Sequence, residues 1–386
     1  MPVKSIYLDY NATSPLHPSV RQAMQPFLEE FFGNASSLHT EGRHARVAIE
    51  KVRSALLKSL GDPKGQLVFC SGGTESDNLA LQGIGHRLRE RGDHLIVSSI
   101  EHSAVKETAE QLEREGFKVT RVPVNHEGVV ELEALERAVT SRTVLVSVMH
   151  ANNEVGTIQP IEEVGAIARR HGVLFHTDAV QSYGKLPLDV SRVPADLVTF
   201  SAHKLGGPKG AGALYLRAGV KVQPLIFGGP HERSFRAGTE AVANIVGLGA
   251  AAEATLREMN DGTLERIGRL RDRLEQGLRE RVPDMEVNGH LKKRLVNTLN
   301  VSFLDCSGET LLMALDLAEI RVSTGSACLA GSAEPSHVLA AMGFSGERIR
   351  GAIRMSLGWG TTEEEIEEAL RRIPPVVEQV RKAAVP

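Results

Sequence analysis

The sequence predicts an α/β protein in which a mostly parallel sheet is covered by helices on both faces and followed by a smaller α+β unit. Three observations carry this. From about Leu67 to Leu216, short apolar runs alternate with amphipathic stretches, and strand alternating with helix is the pattern of a parallel sheet. After Leu216 the alternation gives way to long helical stretches and then to a mixed pattern. The chain has 386 residues, more than one ordinary core accommodates.

The runs Leu67–Ser71, His94–Ser98, Val144–Val148, Val173–His176, Leu197–Phe200 and Ala213–Leu216 read as buried strands. Ser103 to Glu115 and Pro160 to His171 read as helices between them. Earlier, Ala48, Val52, Leu56 and Leu60 recur every fourth residue along one helix face. Thr239 to Ala254 and Leu264 to Arg281 read as long helices leading into the second unit. That unit comprises strand Thr298–Phe303, helix Gly308–Leu317, strand Ile353–Leu357 and a terminal helix from Thr362. A boundary is expected near residue 255, with residues 15–255 as the large domain and 1–14 plus 256–386 as the small one.

Hydrophobic residues make up 41% and charged residues 24%, with a formal net charge of −3. Such a chain has no basic excess with which to track a nucleic-acid backbone. Its first residues lack an apolar export segment, and no run approaches the ~20 apolar residues that span a bilayer. A cytoplasmic location is the default expectation. The three cysteines, Cys70, Cys306 and Cys328, are far apart and have neither metal-ligand nor C-x-x-C spacing.

Ligands of such sheets sit beyond the carboxyl ends of the strands, so chemistry is expected at the strand ends. Cys70-Ser71-Gly72-Gly73-Thr74-Glu75 runs from a strand through two glycines into a helix. This is a place where backbone N–H groups can approach an anion, with the Thr74 hydroxyl adding a donor; a plain helix cap at Thr74 fits equally. Phe200-Ser201-Ala202-His203-Lys204 ends another strand at polar residues and a lysine. A Schiff-base lysine needs such a sheltered place, although a solvated loop lysine is the commoner case. Asp178 closes an apolar strand and suits either a pyridinium partner or a turn cap. His102 follows the strand His94–Ser98 and could stack on a flat ring or move protons. Arg354, in a predicted strand, could bind a carboxylate with both nitrogens or form a surface salt bridge.

Ser323 to Ala333 is a stretch of small and polar residues around Cys328. It reads as a flexible loop presenting a thiol nucleophile, whereas Cys70 and Cys306 adjoin strands and read as buried. Gly247-x-Gly249-x-x-Ala252 loosely matches a dinucleotide fingerprint, but no strand precedes it and close helix packing is the better reading.

Taken together, Leu8-Asp9-Tyr10-Asn11-Ala12-Thr13, Gly72 to Asn78, Glu101-His102, Asn152 to Gly156, Asp178 with Gln181, Ser201 to Lys204, Arg236 to Thr239 and Gly325 to Cys328 resemble the group I (NifS/IscS-type) cysteine desulfurases. These are class V aminotransferases among the fold-type I enzymes that use pyridoxal 5′-phosphate (PLP). The resemblance implies the aspartate aminotransferase-like fold, PLP as cofactor, L-cysteine as substrate and a homodimer. Lys204 is then similar to the lysine that carries the cofactor. Gly73, Thr74, Ser201 and His203 are similar to its phosphate ligands, with Thr239 reaching in from the neighbouring subunit. Asp178 would hold the ring nitrogen and Gln181 the phenolic oxygen, with His102 stacked on the ring. Asn153 and Arg354 would bind the substrate carboxylate, with Asn153 also among the cofactor-binding residues, and Cys328 would receive the sulfur. An iron–sulfur scaffold or another acceptor would take it on, with Cys328 able to ligate a cluster in transfer and no intrinsic metal site. Gly33-Asn34-Ala35 stands where many relatives have proline third, and relatives that feed a scaffold often carry a longer tail after the last helix. A selenocysteine lyase or aminotransferase of the same branch is the nearest alternative, and a dehydrogenase or a non-catalytic sulfur relay a more distant one.

Overall fold

A computed structural model describes residues 5–324 and 335–384. Its centre is a seven-stranded sheet in the order Gln66–Cys70, Gly212–Leu216, Leu197–Ser201, Leu174–Asp178, Thr143–Ser147, His94–Ser98, Lys118–Val122. Gly212–Leu216 runs against both its neighbours and the other pairings are parallel. Successive residues of a strand face opposite sides. Leu95, Val97 and Leu145 accordingly enter one core while Ile96 and Val146 enter another. Two covered faces explain why these strands read as unbroken apolar runs.

Each expected strand lies within a residue or two of its predicted place. Lys118–Val122 was not expected, because polar Lys118, Thr120 and Arg121 interrupt its apolar residues, as suits an edge strand with only one strand neighbour. The helix Thr40–Ser59 buries Ala45, Ile49, Val52 and Leu56 along one face. The helix expected from Thr239 begins at Val242, because Gly238 at φ 111° holds the preceding turn out of helical geometry. Within that helix, a Cβ on Gly247 would lie 2.7 Å from Met24 Sδ and one on Gly249 2.7 Å from Val52 Cγ2. The glycine pair therefore serves helix packing, as expected.

A separate core lies beneath the antiparallel sheet Ala352–Ser356, Thr298–Phe303, Met285–Val287. Leu299, Val301 and Phe303 pack there with Leu274 and Leu278 of the helix Thr263–Arg281 and with Ile366 and Leu370 of Glu363–Ala384. The N-terminal segment belongs to this core through Ile6 and Leu8, and Ile6–Tyr7 pairs in parallel with Ile320–Arg321. The chain then crosses to the large sheet at Asn11. This buried residue donates from Nδ2 to Asn153 O and Thr298 Oγ1 and accepts at Oδ1 from Asn297. The crossing places a cavity between the large sheet and the smaller unit.

Candidate active site

A cavity of about 360 Å³ opens at the carboxyl ends of the central strands, within the size range of small-molecule sites. Gly73, Thr74, Ser201, His203 and Lys204 line it, together with His102, Asn153, Asp178, Gln181 and Arg354. Residues distant in sequence thus meet in one place. Thr239 does not line it; this residue is exposed ahead of the helix Val242–Glu258. Cys328 lies outside the described residues.

One end of the cavity is built for an anion. The helix Gly73–Arg87 has Gly72 at its N-cap position and no side-chain cap, so Thr74 is not the cap that its residue type suggested. Its first N–H groups keep their partial positive charge toward the cavity. A Cβ on Gly73 would come within 2.9 Å of Val180 Cγ2, so glycine lets the turn pack against the Asp178 loop. Ser201 ends its strand beside this turn. His203 Nδ1 lies 3.2 Å from Thr13 Oγ1, and burial pushes the ring down to about 4, with Lys204 adding to the effect.

The middle of the cavity carries a carboxylate. Asp178 closes its strand, and its Oδ1 accepts the Val180 N–H at 2.8 Å. The turn-capping role and an exposed face to the cavity therefore coexist. Burial pushes this carboxyl up to about 6, opposed by the Val180 N–H and by Lys204. Asp77, also buried, is raised well above its ordinary value by burial and then by the charge of Asp178. His176 stands 3.6 Å from Asp77 and is pushed down to about 3 by burial, so it offers no countercharge. A carboxyl raised on folding adds stability at low pH and loses it as pH rises through the folded value. The cofactor-free protein should accordingly lose Tm as pH rises through about 6, and Asp178→Asn should flatten that decline in a melting series.

At the opposite end, the short helix Ala202–Lys204 aims Lys204 into the site. Its Nζ donates to Asn11 O at 2.5 Å and Ala12 O at 2.7 Å. Gln181 Nε2 donates to the same Asn11 oxygen at 2.9 Å. His102 caps the helix Ser103–Arg114, accepting the Ala104 N–H on Nδ1 at 3.1 Å. In the neutral ring the proton is therefore on Nε2, and burial keeps the ring neutral by pushing it down to about 4. Arg354 is only 2% exposed, which rules out the surface salt bridge allowed by its sequence. Its Nη2 pairs with Asp9 at 2.9 Å and its Nη1 donates to Asn153 O at 3.1 Å. Its buried Nε has no hydrogen-bond partner among the described residues.

Sequence reasoning missed several lining groups. Asn11, Asp77 and Glu154 stand inside motifs that drew notice, but nothing in a single sequence tells a buried acid from a solvated one. His337 was not noticed at all; its Nε2 lies 2.9 Å from Glu101 O. Cys70 and Cys306 are buried as expected, and burial pushes the Cys70 thiol up to about 12.

The class-V aminotransferase family model matches residues 6–369. Cysteine desulfurase IscS of Dictyoglomus turgidum is 46% identical over 378 residues, covering 98% of this chain and 96% of that protein. This chain belongs to the class-V aminotransferase family, in its IscS/NifS-like branch. A solved NifS-like protein superposes with a TM-score of 0.91 at 40% identity, covering 97% of this chain and 100% of the other. SspA in complex with cysteine superposes at 0.81 and 36% identity, covering 92% and 99%. The α/β fold expected from the sequence is therefore the fold of this branch of class-V enzymes. Among the described residues no helix is long and apolar enough to cross a membrane.

Proposed function

We propose that this protein is a PLP-dependent cysteine desulfurase that takes sulfur from L-cysteine, leaving L-alanine and a persulfide on Cys328. The observation that carries this reading is one cavity offering an uncapped helix terminus, a buried carboxylate, a lysine amine and a buried guanidinium. These groups fit a phosphorylated pyridine aldehyde and an amino acid. Gly73, Thr74, Ser201 and His203 would hold the phosphate, Asp178 a protonated ring nitrogen, Gln181 the phenolic oxygen and Lys204 the aldehyde carbon. When bound, PLP supplies an electron sink for charge developing at the substrate α-carbon.

The chain's own groups do the rest. Arg354 and Asn153 orient the cysteine carboxylate; Arg354 arrives with its charge already held by Asp9. Lys204 takes the α-proton. His102 would offer a proton from Nε2 into the cavity, and its low affinity for a second proton keeps it a neutral donor. Cys328, as thiolate, attacks the substrate sulfur. The carbon–sulfur bond breaks, its electron pair stays with carbon, and protonation there yields alanine.

The same reading makes the protein a homodimer in which Thr239 serves the neighbouring subunit's phosphate site. Leu28, Phe32, Leu38 and Phe227 are exposed in the single chain and are the apolar groups that a second copy would cover. It also divides the chain into residues 15–255 and 1–14 with 256–386; the core of Ile6, Leu8, Leu274 and Leu370 supports this division, while Val338, Leu339, Met342 and Ala352 pack with the large core. The persulfide sulfur would pass in the cytoplasm, where thiols stay reduced, to an iron–sulfur scaffold or another acceptor. The test is to give the purified holoprotein cysteine and measure alanine and, with a reductant, sulfide. Equal yields of both support the reading; pyruvate or an amino-group exchange product in place of alanine contradicts it.

A further inference from the structure

Behind Lys204, away from the main cavity, lies a small chamber of about 40 Å³ lined by Lys185, Lys204, Glu258 and Trp359 among others. Lys185 has no part in the chemistry above, yet it is built into the same wall. The turn that carries it is tight. Gly184 takes φ 73°, and a Cβ there would fall 2.5 Å from Thr255 Oγ1 on the helix Val242–Glu258. Pressed against that helix, the turn sends Lys185 back over its own first residue. Its Nζ donates to Gln181 O at 3.0 Å and faces Gln181 Oε1 at 3.5 Å.

We propose that Lys185 is a positioning residue for the desulfurase site, fixing the Gln181 amide with its nitrogen toward Asn11 and Lys204 and so presetting the donor offered to the cofactor's phenolic oxygen. The inference rests on the role given to Gln181 above. An amide has one accepting and one donating end, and an ammonium only donates. With Lys185 beside Oε1, Nε2 turns to Asn11 O at 2.9 Å, the same carbonyl oxygen that accepts from Lys204. The flipped amide would set Nε2 against the ammonium and Oε1 against the Asn11 oxygen, two repulsions in place of two attractions. One continuous path therefore runs from Lys185 through Gln181 and Asn11 to Lys204.

The buried amine is kept at a cost. Burial, with the charge of Lys204 adding to it, pushes the Lys185 ammonium down to about 7. A side chain retained only for packing would do better as an apolar one of the same shape. Lys185→Met should therefore keep or raise the Tm while harming the site.

The experiment uses holoenzyme carrying Lys185→Met, Lys185→Arg, Gln181→Ala, or Gln181→Ala with Lys185→Met. Lys185→Met should retain a visible cofactor band displaced in wavelength. Its kcat should fall about tenfold, the equivalent of one charge-assisted hydrogen bond, with the KM for cysteine changed by less than about threefold. Lys185→Arg, which keeps charge and donors, should lie between Met and wild type. On the Gln181→Ala background, Lys185→Met should shift the band no further. If Lys185→Met yields no folded holoenzyme, Lys185→Leu, which also lacks a donor, takes its place with the same expected displacement. A wild-type band and kcat in the neutral variant, or a full further shift without Gln181, overturns the proposal and leaves the desulfurase reading intact. A wild-type protein with neither visible band nor alanine release overturns that reading and this one with it.

Discussion

Cys328→Ser holoenzyme should keep the visible cofactor band of the wild type and lose desulfuration by about 10³-fold or more, because only a thiolate attacks sulfur and a serine hydroxyl has no comparable anion near neutral pH. The described cysteines cannot substitute. Cys70 is buried at the end of Gln66–Cys70, with its thiol pushed up to about 12, and Cys306 is buried in the core of the smaller unit. Any residual alanine release would mark how far the Lys204 side of the reaction proceeds alone. Absorbance scans and alanine assays on the same preparation check both halves of the expectation.

Lys204→Ala should abolish the band that a lysine-bound cofactor gives and reduce alanine release by about 10⁴-fold or more, the upper end of what a lost general base costs, with loss of the anchor added. The fold should survive. The carbonyl oxygens of Asn11 and Ala12 lose a donor, but Asn11 O keeps the Gln181 amide. Lys185 also loses the like charge that helps push its ammonium down. Titration with free PLP, followed by absorbance and by Tm, separates a lost covalent anchor from a collapsed site. Unchanged absorbance would remove Lys204 from the role assigned to it.

Much of this site was legible because its parts occupy strand ends. Asp178 closes an apolar run and Ser201 another; a polar residue at that position in a parallel sheet faces the ligand crevice. His94–Ser98 and Thr298–Phe303 were legible to the residue, the first from the apolar run Leu95–Val97 and the second from Leu299, Val301 and Phe303 recurring at every second position. Where one side meets solvent, the signal weakened. Lys118–Val122 hid among its own polar residues, and Ile6–Tyr7 is a strand only because Ile320–Arg321 comes from far along the chain to pair with it. Arg354 shows the same limit. Its burial depends on Asp9 and Asn153, which the topology brings from two other segments. Nothing in the sequence singles out Lys185, because its position over Gln181 depends on Gly184 being pressed against a helix some seventy residues later in the chain.

The central claim is that Lys204 and Cys328 act on one bound cysteine. Its most direct test is mass spectrometry of the wild-type holoenzyme after a single equivalent of L-cysteine, with peptides mapped for every thiol. The expected result is a gain of one sulfur atom on the peptide containing Cys328, none on those containing Cys70 or Cys306, and no gain anywhere in Lys204→Ala. Added sulfur on another cysteine, or on Cys328 in the protein lacking Lys204, would contradict it.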